Sequence, residues 1–213
     1  MDLMLELIKT FDTTLFYKIN QDWKNGVFDL CMPVISDINY ILIPIAFFWL
    51  LLILKKNVKT RTIALVIFAV IATSDIVSAR VVKPFFQRPR PYNVMPGVNY
   101  YKQAWRVTPA KVAATNSTNY SMPSSHATNI FAAAVYLSWF FPGFAWFNLL
   151  LALLVSYSRP YLGMHYPLDV VAGGVIGSTI GILYALLTEK IVGWIRLKKA
   201  PSGPAAENGE TKE

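Results

Sequence analysis

The chain has 213 residues, of which 54% are hydrophobic and 14% aromatic, and its mean hydropathy of +0.41 is higher than soluble domains usually show. The formal charge of +8 does not indicate nucleic acid, because the basic residues flank long apolar runs and form no polar domain of their own. A single cysteine excludes an intrachain disulfide. We therefore predict an integral membrane protein whose basic residues meet anionic membrane lipids, with no oligomeric state defined.

Residues 1–33 are predicted to form an amphipathic helix on the membrane surface. Apolar residues recur there at helical spacing, and charged residues occupy many of the positions between them. The apolar positions are Met4, Ile8, Phe11, Leu15 and Ile19. The alternative is a short additional span packed against the others.

Residues 38–54 and 62–82 are apolar runs of 17 and 21 residues, close to the roughly 20 that a transmembrane helix requires. The second run contains Asp75 and Arg80, and ionisable groups at such positions are costly and often functional, so the role of these two residues stays open. Residues 127–157 contain no charge but are too long for one span, and Pro142 lies near their middle. This pattern predicts a helical hairpin.

Residues 168–187 form the last predicted span, in which Gly173, Gly177 and Gly181 recur every four residues. Such a ridge of small residues lets membrane helices approach closely. Together the runs predict an all-α polytopic bundle of five to six transmembrane helices. Residues 1–199 would form a single membrane domain, and residues 200–213 would be a disordered tail.

Basic clusters predict the orientation in the membrane. Lys55, Lys56, Lys59 and Arg61 link the first two spans, and further basic residues follow the last, so both groups should be cytoplasmic. The connection at 83–125 would then lie on the extracytoplasmic face. Its six basic residues oppose that orientation, and we attribute them to ligand binding.

Between Asp75 and Asp169 the sequence contains no Asp or Glu, yet it holds both histidines, His126 and His165, and eight basic residues. This composition predicts an anion site with no metal and no cofactor. Phosphate is the anion that best fits a cationic, histidine-bearing site at a membrane surface.

Three span ends should meet at that face. Ser124 is a good N-cap for one helix and Pro167 suits the first turn of another, so two helix N-termini would point toward the phosphate. Lys83, Arg90 and Arg159 would add positive charge.

The two histidines suggest the chemistry. His165 and Asp169 lie four residues apart at a helix start, so the carboxylate can orient one ring nitrogen and leave the other as a nucleophile. His126, from a different helix, can donate a proton to the leaving oxygen and later accept one from water.

The spacing of these residues resembles the three-part signature of the type 2 phosphatidic acid phosphatase superfamily, over residues 83–169. The blocks are Lys83, six residues, Arg90-Pro91; Pro123-Ser124-Ser125-His126; and Ser158-Arg159, five residues, His165, three residues, Asp169. The resemblance implies a phosphohistidine on His165, Asp169 as its partner, His126 as general acid, and a phosphate held by Lys83, Arg90, Ser124 and Arg159 without metal. Ser125 stands where glycine is usual and could add a hydroxyl contact.

The resulting hypothesis is a lipid-phosphate phosphatase in a bacterial-type inner membrane. Candidate substrates are undecaprenyl diphosphate, which we favour slightly, phosphatidylglycerophosphate, phosphatidate and a lipid A phosphate. Arg88, beside the first block, could contact a second phosphate. The alternatives are a phosphotransferase with an acceptor other than water, and a non-catalytic transporter that binds lipid headgroups.

Overall fold

In a computed structural model the residues that the structure describes, 2–110 and 119–199, form nine α-helices and a small β-hairpin. The helices in chain order are α1 (Asp2–Tyr17), α2 (Gly26–Ser36), α3 (Ile38–Leu54), α4 (Val58–Ile76), α5 (Lys83–Phe86), α6 (Pro91–Val94), α7 (Ser125–Phe140), α8 (Ala145–Tyr161) and α9 (Pro167–Lys199). The π-helical segments Lys18–Asp22 and Val77–Val82 follow α1 and α4. The predicted tail at 200–213 lies outside the described residues.

Four helices begin at polar side chains that accept a hydrogen bond from the first turn, as N-caps do. Asn25, Asp37, Asn57 and Ser124 cap α2, α3, α4 and α7 in this way. The starts of these helices therefore follow from local sequence. The N-terminal helix predicted over residues 1–33 is divided, because Asn25 caps a separate helix α2, and α9 continues to Lys199, past the predicted end at 187.

Two helical stretches, Val58–Val94 and Pro167–Lys198, are long and apolar enough to cross a membrane. The helices α3, α7 and α8 are also apolar but have 17, 16 and 17 residues. The number of spans, five or six, therefore stays a prediction. Between α7 and α8 the chain turns through a 3-10 segment, Pro142–Phe144, at the proline that suggested a hairpin.

The helices α7 and α9 pack along the predicted glycine ridge. A Cβ atom at Gly177 would lie 2.2 Å from the backbone oxygen of Thr128, and one at Gly173 would lie 2.6 Å from that of Ser124. Only a residue without a side chain allows this approach. The ridge therefore brings the N-terminal ends of α7 and α9 together.

The structure corrects the all-α prediction in one place, because β1 (Asn99–Lys102) and β2 (Ala104–Val107) form an antiparallel hairpin. The hairpin rests on the loop after α8: Tyr101 N–H donates to Leu162 O at 3.2 Å. Gly163 in this loop has φ of +70°, and a Cβ there would lie 2.4 Å from Asn99 O.

The N-terminal region, predicted to lie on the membrane surface, packs partly into the helical bundle. Phe16, Ile19 and Asn20 are buried, whereas Met4 and Phe11, on the predicted apolar face, are exposed. The Asn20 amide donates to Asn99 O at 2.7 Å and to Tyr161 O at 2.9 Å. The segment after α1 therefore joins the β-hairpin to the end of α8.

Candidate active site

Three distant segments meet at the end of the bundle where α7 and α9 begin. Ser124 N–H donates to Asp169 O at 2.9 Å, which links the two helix starts. Ser121 N–H donates to Arg88 O at 2.7 Å, which ties the first block of the signature to the second. The predicted convergence of the three blocks is therefore present in the structure.

His165 occupies the loop between α8 and α9 and is only 1% exposed. Its Nδ1 lies 3.7 Å from Asp169 Oδ2 and 3.4 Å from Ser121 Oγ. Its Nε2 lies 3.4 Å from Arg90 Nη1. Burial lowers the pKa of His165 to about 3, against the weaker opposing effect of Asp169, so the imidazole is neutral at neutral pH.

Asp169 is fully buried and is held by several donors. Its Oδ2 accepts hydrogen bonds from Ser121 Oγ and, at 2.8 Å, from Tyr166 N–H. Its Oδ1 accepts from Arg88 Nη1 at 2.9 Å. These contacts fix the carboxylate on the Nδ1 side of His165. Ser121 was not predicted, because its hydroxyl belongs to no spacing pattern.

Arg88 does not take the position expected of a second phosphate contact. One terminal nitrogen binds Asp169, and the other lies 2.6 Å from Asp12 Oδ2 in α1. Its guanidinium also lies 3.7 Å from the centre of the Tyr166 ring. Since both terminal nitrogens are used behind the imidazole, we assign Arg88 to the support of Asp169. Asp12 was not predicted, because its position in an amphipathic helix indicated solvent exposure.

Arg159, near the end of α8, is 9% exposed and lacks a counter-ion within the described residues. Its Nη1 donates to the hydroxyl of Ser36 in α2, and its Nε has no hydrogen-bond partner in the part of the chain that the structure describes. A buried guanidinium in this state favours the arrival of an anion. This supports the predicted role in phosphate binding.

Lys83 and Arg90 complete a cation cluster with Arg159. The three charges are close enough to repel one another electrostatically. Arg90 Nε donates to Asn119 Oδ1 at 3.2 Å, and its Nη1 lies 3.4 Å from Met164 O. No Asp or Glu in residues 2–110 and 119–199 forms an ion pair with any of the three. The Nε2 side of His165 is therefore cationic.

His126 lies in the first turn of α7 and is exposed. The ring is near enough to His165 and to the cation cluster for their charges to act on it. The pKa of His126 is lowered, first because protein atoms around the ring reduce its hydration. Nearby charged groups lower this pKa further: Arg159, His165, Arg90 and Lys83. A bound anion would offset the part of this pKa decrease that comes from the cations.

The two serines before His126 have defined partners. Ser124 Oγ accepts from Ala127 N–H at 3.4 Å, which is the predicted N-cap and leaves its hydroxyl hydrogen able to donate. Ser125 Oγ lies 2.7 Å from Ser78 Oγ in the π-helical segment after α4. The additional hydroxyl at 125 therefore joins α7 to that segment.

The N-terminus of α9 differs from the prediction. Leu168 N–H donates to Asp12 Oδ1 at 2.8 Å, and the preceding Tyr166 N–H donates to Asp169. Carboxylates of the protein therefore occupy this helix end, and we retain only the N-terminus of α7 as a phosphate contact.

Asp75 lies nearby on α4 and accepts a hydrogen bond from Asn129 Nδ2 at 3.4 Å. It attracts Lys83 electrostatically. Arg80 is exposed on the following π-helical segment. The residues described contain no group of three or more His, Cys, Asp or Glu side chains with the arrangement of a metal site.

A sequence model of the PAP2 superfamily matches residues 61–192, a range that includes every residue of the three blocks. The chain belongs to this superfamily, as the spacing of the blocks predicts. Several relatives carry phosphatase names, and one, from Bacillus licheniformis, is named a bacitracin transport permease protein.

An undecaprenyl-diphosphatase of Sulfolobus acidocaldarius is 39% identical over 145 residues, which is 68% of this chain and 62% of that relative. A lipid A 4'-phosphatase of Porphyromonas gingivalis is 26% identical over 182 residues, 83% of this chain and 72% of the relative. This chain thus matches 62% of the length of the first relative and 72% of the length of the second.

Two solved structures share the fold. LpxE of Aquifex aeolicus superposes with a TM-score of 0.58 at 27% identity, covering 81% of this chain and 93% of that one. A transmembrane PAP2 type phosphatidylglycerolphosphate phosphatase of Bacillus subtilis superposes with a TM-score of 0.66, covering 87% and 88%. At 20% identity the second likeness concerns the fold alone.

Proposed function

We propose that the protein is a metal-independent lipid-phosphate phosphatase that works through a phosphohistidine on His165. The observation that carries the proposal is the asymmetry around His165. Its Nδ1 faces a fixed carboxylate and its Nε2 faces Arg90, which, like Lys83 and Arg159, forms no ion pair with a carboxylate of residues 2–110 and 119–199. A neutral imidazole in that position is a nucleophile directed at an anion.

In the first step, Nε2 of His165 attacks phosphorus and the bond from phosphorus to the leaving oxygen breaks. His126 donates its proton to that oxygen. Lys83, Arg90 and Arg159 stabilise the negative charge on the three equatorial oxygens. The proton at Nδ1 stays in place, and Asp169 stabilises the positive charge of the phosphorylated ring.

In the second step, water attacks the phosphohistidine while His126 accepts a proton. The bond from nitrogen to phosphorus breaks, inorganic phosphate leaves, and neutral His165 is restored. The cations that disfavour a charged His126 in the empty site are neutralised when the phosphate dianion binds. Substrate binding therefore prepares His126 to act as an acid.

We favour undecaprenyl diphosphate as the substrate, with phosphatidylglycerophosphate, phosphatidate and a lipid A phosphate as the other candidates. The relative of this chain from Sulfolobus acidocaldarius is named an undecaprenyl-diphosphatase, which supports this order. The basic residues between α3 and α4 and at the end of α9 support a cytoplasmic position for those ends. The site then opens on the extracytoplasmic face of a bacterial-type inner membrane, in a bundle of five to six spans.

The test is phosphate release from a panel of these lipid phosphates by purified protein in EDTA, for the intact chain and His165→Ala. We expect release by the intact chain, none by the variant, and an acid-quenched phosphoprotein only with the intact chain. Activity of His165→Ala would contradict the nucleophile, and loss of activity in EDTA would contradict metal independence. Transfer of the phosphoryl group to an added alcohol instead of water would indicate a phosphotransferase.

A further inference from the structure

The carboxylate of Asp12 is fully buried although it belongs to the N-terminal helix α1. Its Oδ1 accepts from Leu168 N–H at 2.8 Å, and its Oδ2 lies 2.6 Å from Arg88 Nη2. Burial raises the pKa of Asp12, and these two donors oppose that effect. A charged group so far from the three signature blocks has no place in the mechanism described above.

Arg88 connects this carboxylate to the site. Its second terminal nitrogen lies 2.9 Å from Asp169 Oδ1, and Asp169 Oδ2 faces Nδ1 of His165. The tilt of the guanidinium is also fixed, because it lies over the Tyr166 ring. A continuous series of contacts therefore runs from Asp12 through Arg88 and Asp169 to the imidazole.

The charges in this series decide what Asp12 contributes. Arg88 and Asp169 alone would be neutral as a pair, so the pair would stabilise a positively charged ring only weakly. With Asp12 present, two carboxylates share one guanidinium and the group carries one net negative charge. The part of that charge that faces the imidazole is on Asp169 Oδ2, so Asp12 acts on the ring through Asp169, by competing with it for Arg88.

We propose that Asp12 is a positioning residue for the phosphatase reaction. It draws on the positive charge of Arg88, so that Arg88 neutralises Asp169 less and Asp169 stabilises the phosphorylated ring of His165 more strongly. The inference rests on the proposed function. It adds the N-terminal helix to the catalytic apparatus, although Asp12 touches neither the substrate nor the reacting atoms. Its contribution should appear in the chemical step and be small in substrate binding.

The test compares Asp12→Asn with Glu6→Gln, which removes a charge from an exposed position of the same helix. In Asp12→Asn we expect kcat to fall about 10- to 100-fold with KM changed less than about threefold, because a unit charge at this range has an effect of that size. Glu6→Gln should match the intact chain. In an Asp169→Asn background the further loss from Asp12→Asn should be less than about threefold, because Asp12 acts through Asp169.

Two further measurements keep the test decisive. If Asp12→Asn does not fold, the equal-sized pair Asp12→Glu and Asp12→Gln isolates the charge, and Asp12→Glu should retain more kcat. Binding of orthovanadate, which resembles the transferring phosphoryl group, should weaken about tenfold in Asp12→Asn, whereas binding of inorganic phosphate should hardly change.

The outcomes separate the two proposals. An intact chain that is active and binds vanadate, with Asp12→Asn folded and equal to it in kcat and in vanadate binding, overturns the role of Asp12 alone. Additive losses in the double variant also overturn it. An intact chain that neither releases phosphate from the lipid panel nor binds vanadate overturns the proposed function, and the role of Asp12 with it.

Discussion

The two sides of His165 differ in how their charges are balanced. On the Nδ1 side, each charged group has a protein partner: Arg88 lies between Asp12 and Asp169. On the Nε2 side, Arg159 is buried beside Arg90 with no carboxylate partner in the described residues. We call the Nδ1 side, whose ion pairs hold Asp169 beside the ring, the satisfied side, and the Nε2 side, where we propose that the ligand binds, the unsatisfied side.

The largest expected effect comes from removing the ring that separates the two sides. His165→Asn keeps a polar group near Ser121 but has no nucleophilic nitrogen, so phosphate release should fall by about 10⁴-fold or more. The measurement is a turnover assay with lipid phosphate in detergent, together with acid-quench trapping. Residual phosphoprotein in this variant would place the nucleophile elsewhere.

The Arg159→Met substitution removes a buried positive charge from the unsatisfied side. We expect kcat/KM to fall by about 10² to 10³-fold, as for loss of one charged stabiliser of a transition state. The same variant should unfold at an equal or higher temperature, because it removes a buried charge that lacks a counter-ion. Arg106→Met, in the exposed strand β2, is the matched control and should leave activity unchanged. A loss of both activity and stability in Arg159→Met would indicate a structural role.

Gly177→Ala tests how the two sides are brought together. The added Cβ would lie 2.2 Å from Thr128 O, so α7 must move away from α9, and activity should fall about 10- to 100-fold. Gly174→Ala is the control on the same helix, since its Cβ would meet the Phe131 ring at an ordinary 3.4 Å. Equal activities in the two variants would show that the ridge does not position the site.

The smallest effect concerns pH and stability. The pKa of His165 is lowered to about 3, whereas a histidine in an unfolded chain titrates near about 6.5. Between these values the unfolded state binds one more proton. The stability from a neutral His165 is therefore complete above about pH 6.5 and is lost as pH falls toward 3. Between pH 7.5 and 5 the melting temperature of the intact chain should decrease more than that of His165→Asn. Parallel decreases would contradict a buried neutral ring.

The sequence predicted most of the helices, because apolar runs and caps are local patterns. The bounds of α3 agree with the prediction, whereas α9 continues to Lys199, past the predicted 187, and the N-terminal helix predicted over 1–33 is divided into α1 and α2. The three spaced blocks gave Lys83, Arg90, Arg159 and both histidines, whose roles stay predictions. The glycine ridge was also predictable, since small residues at a spacing of four have one main use in membrane helices.

The satisfied side was predicted poorly. Asp12 lies in a pattern typical of a surface helix, and Ser121 lies in a loop without periodicity, so neither gave a signal. Arg88 was assigned to the ligand because its neighbours were predicted to bind phosphate, although its guanidinium is directed at carboxylates from two other helices. Contacts between distant segments decide these roles, and a linear pattern does not contain them.

The ion pairs behind His165 have a consequence for synthesis of the chain. Asp12 and Leu168, which share a hydrogen bond, are 156 positions apart. The first helix can therefore form this contact only after nearly the whole polypeptide has been synthesised. Until α9 arrives, Asp169 is absent and Arg88 lacks one of its two partners. A partly made chain therefore lacks the assembled contacts behind His165, and the proposed reaction centre is complete only after α9 has been inserted.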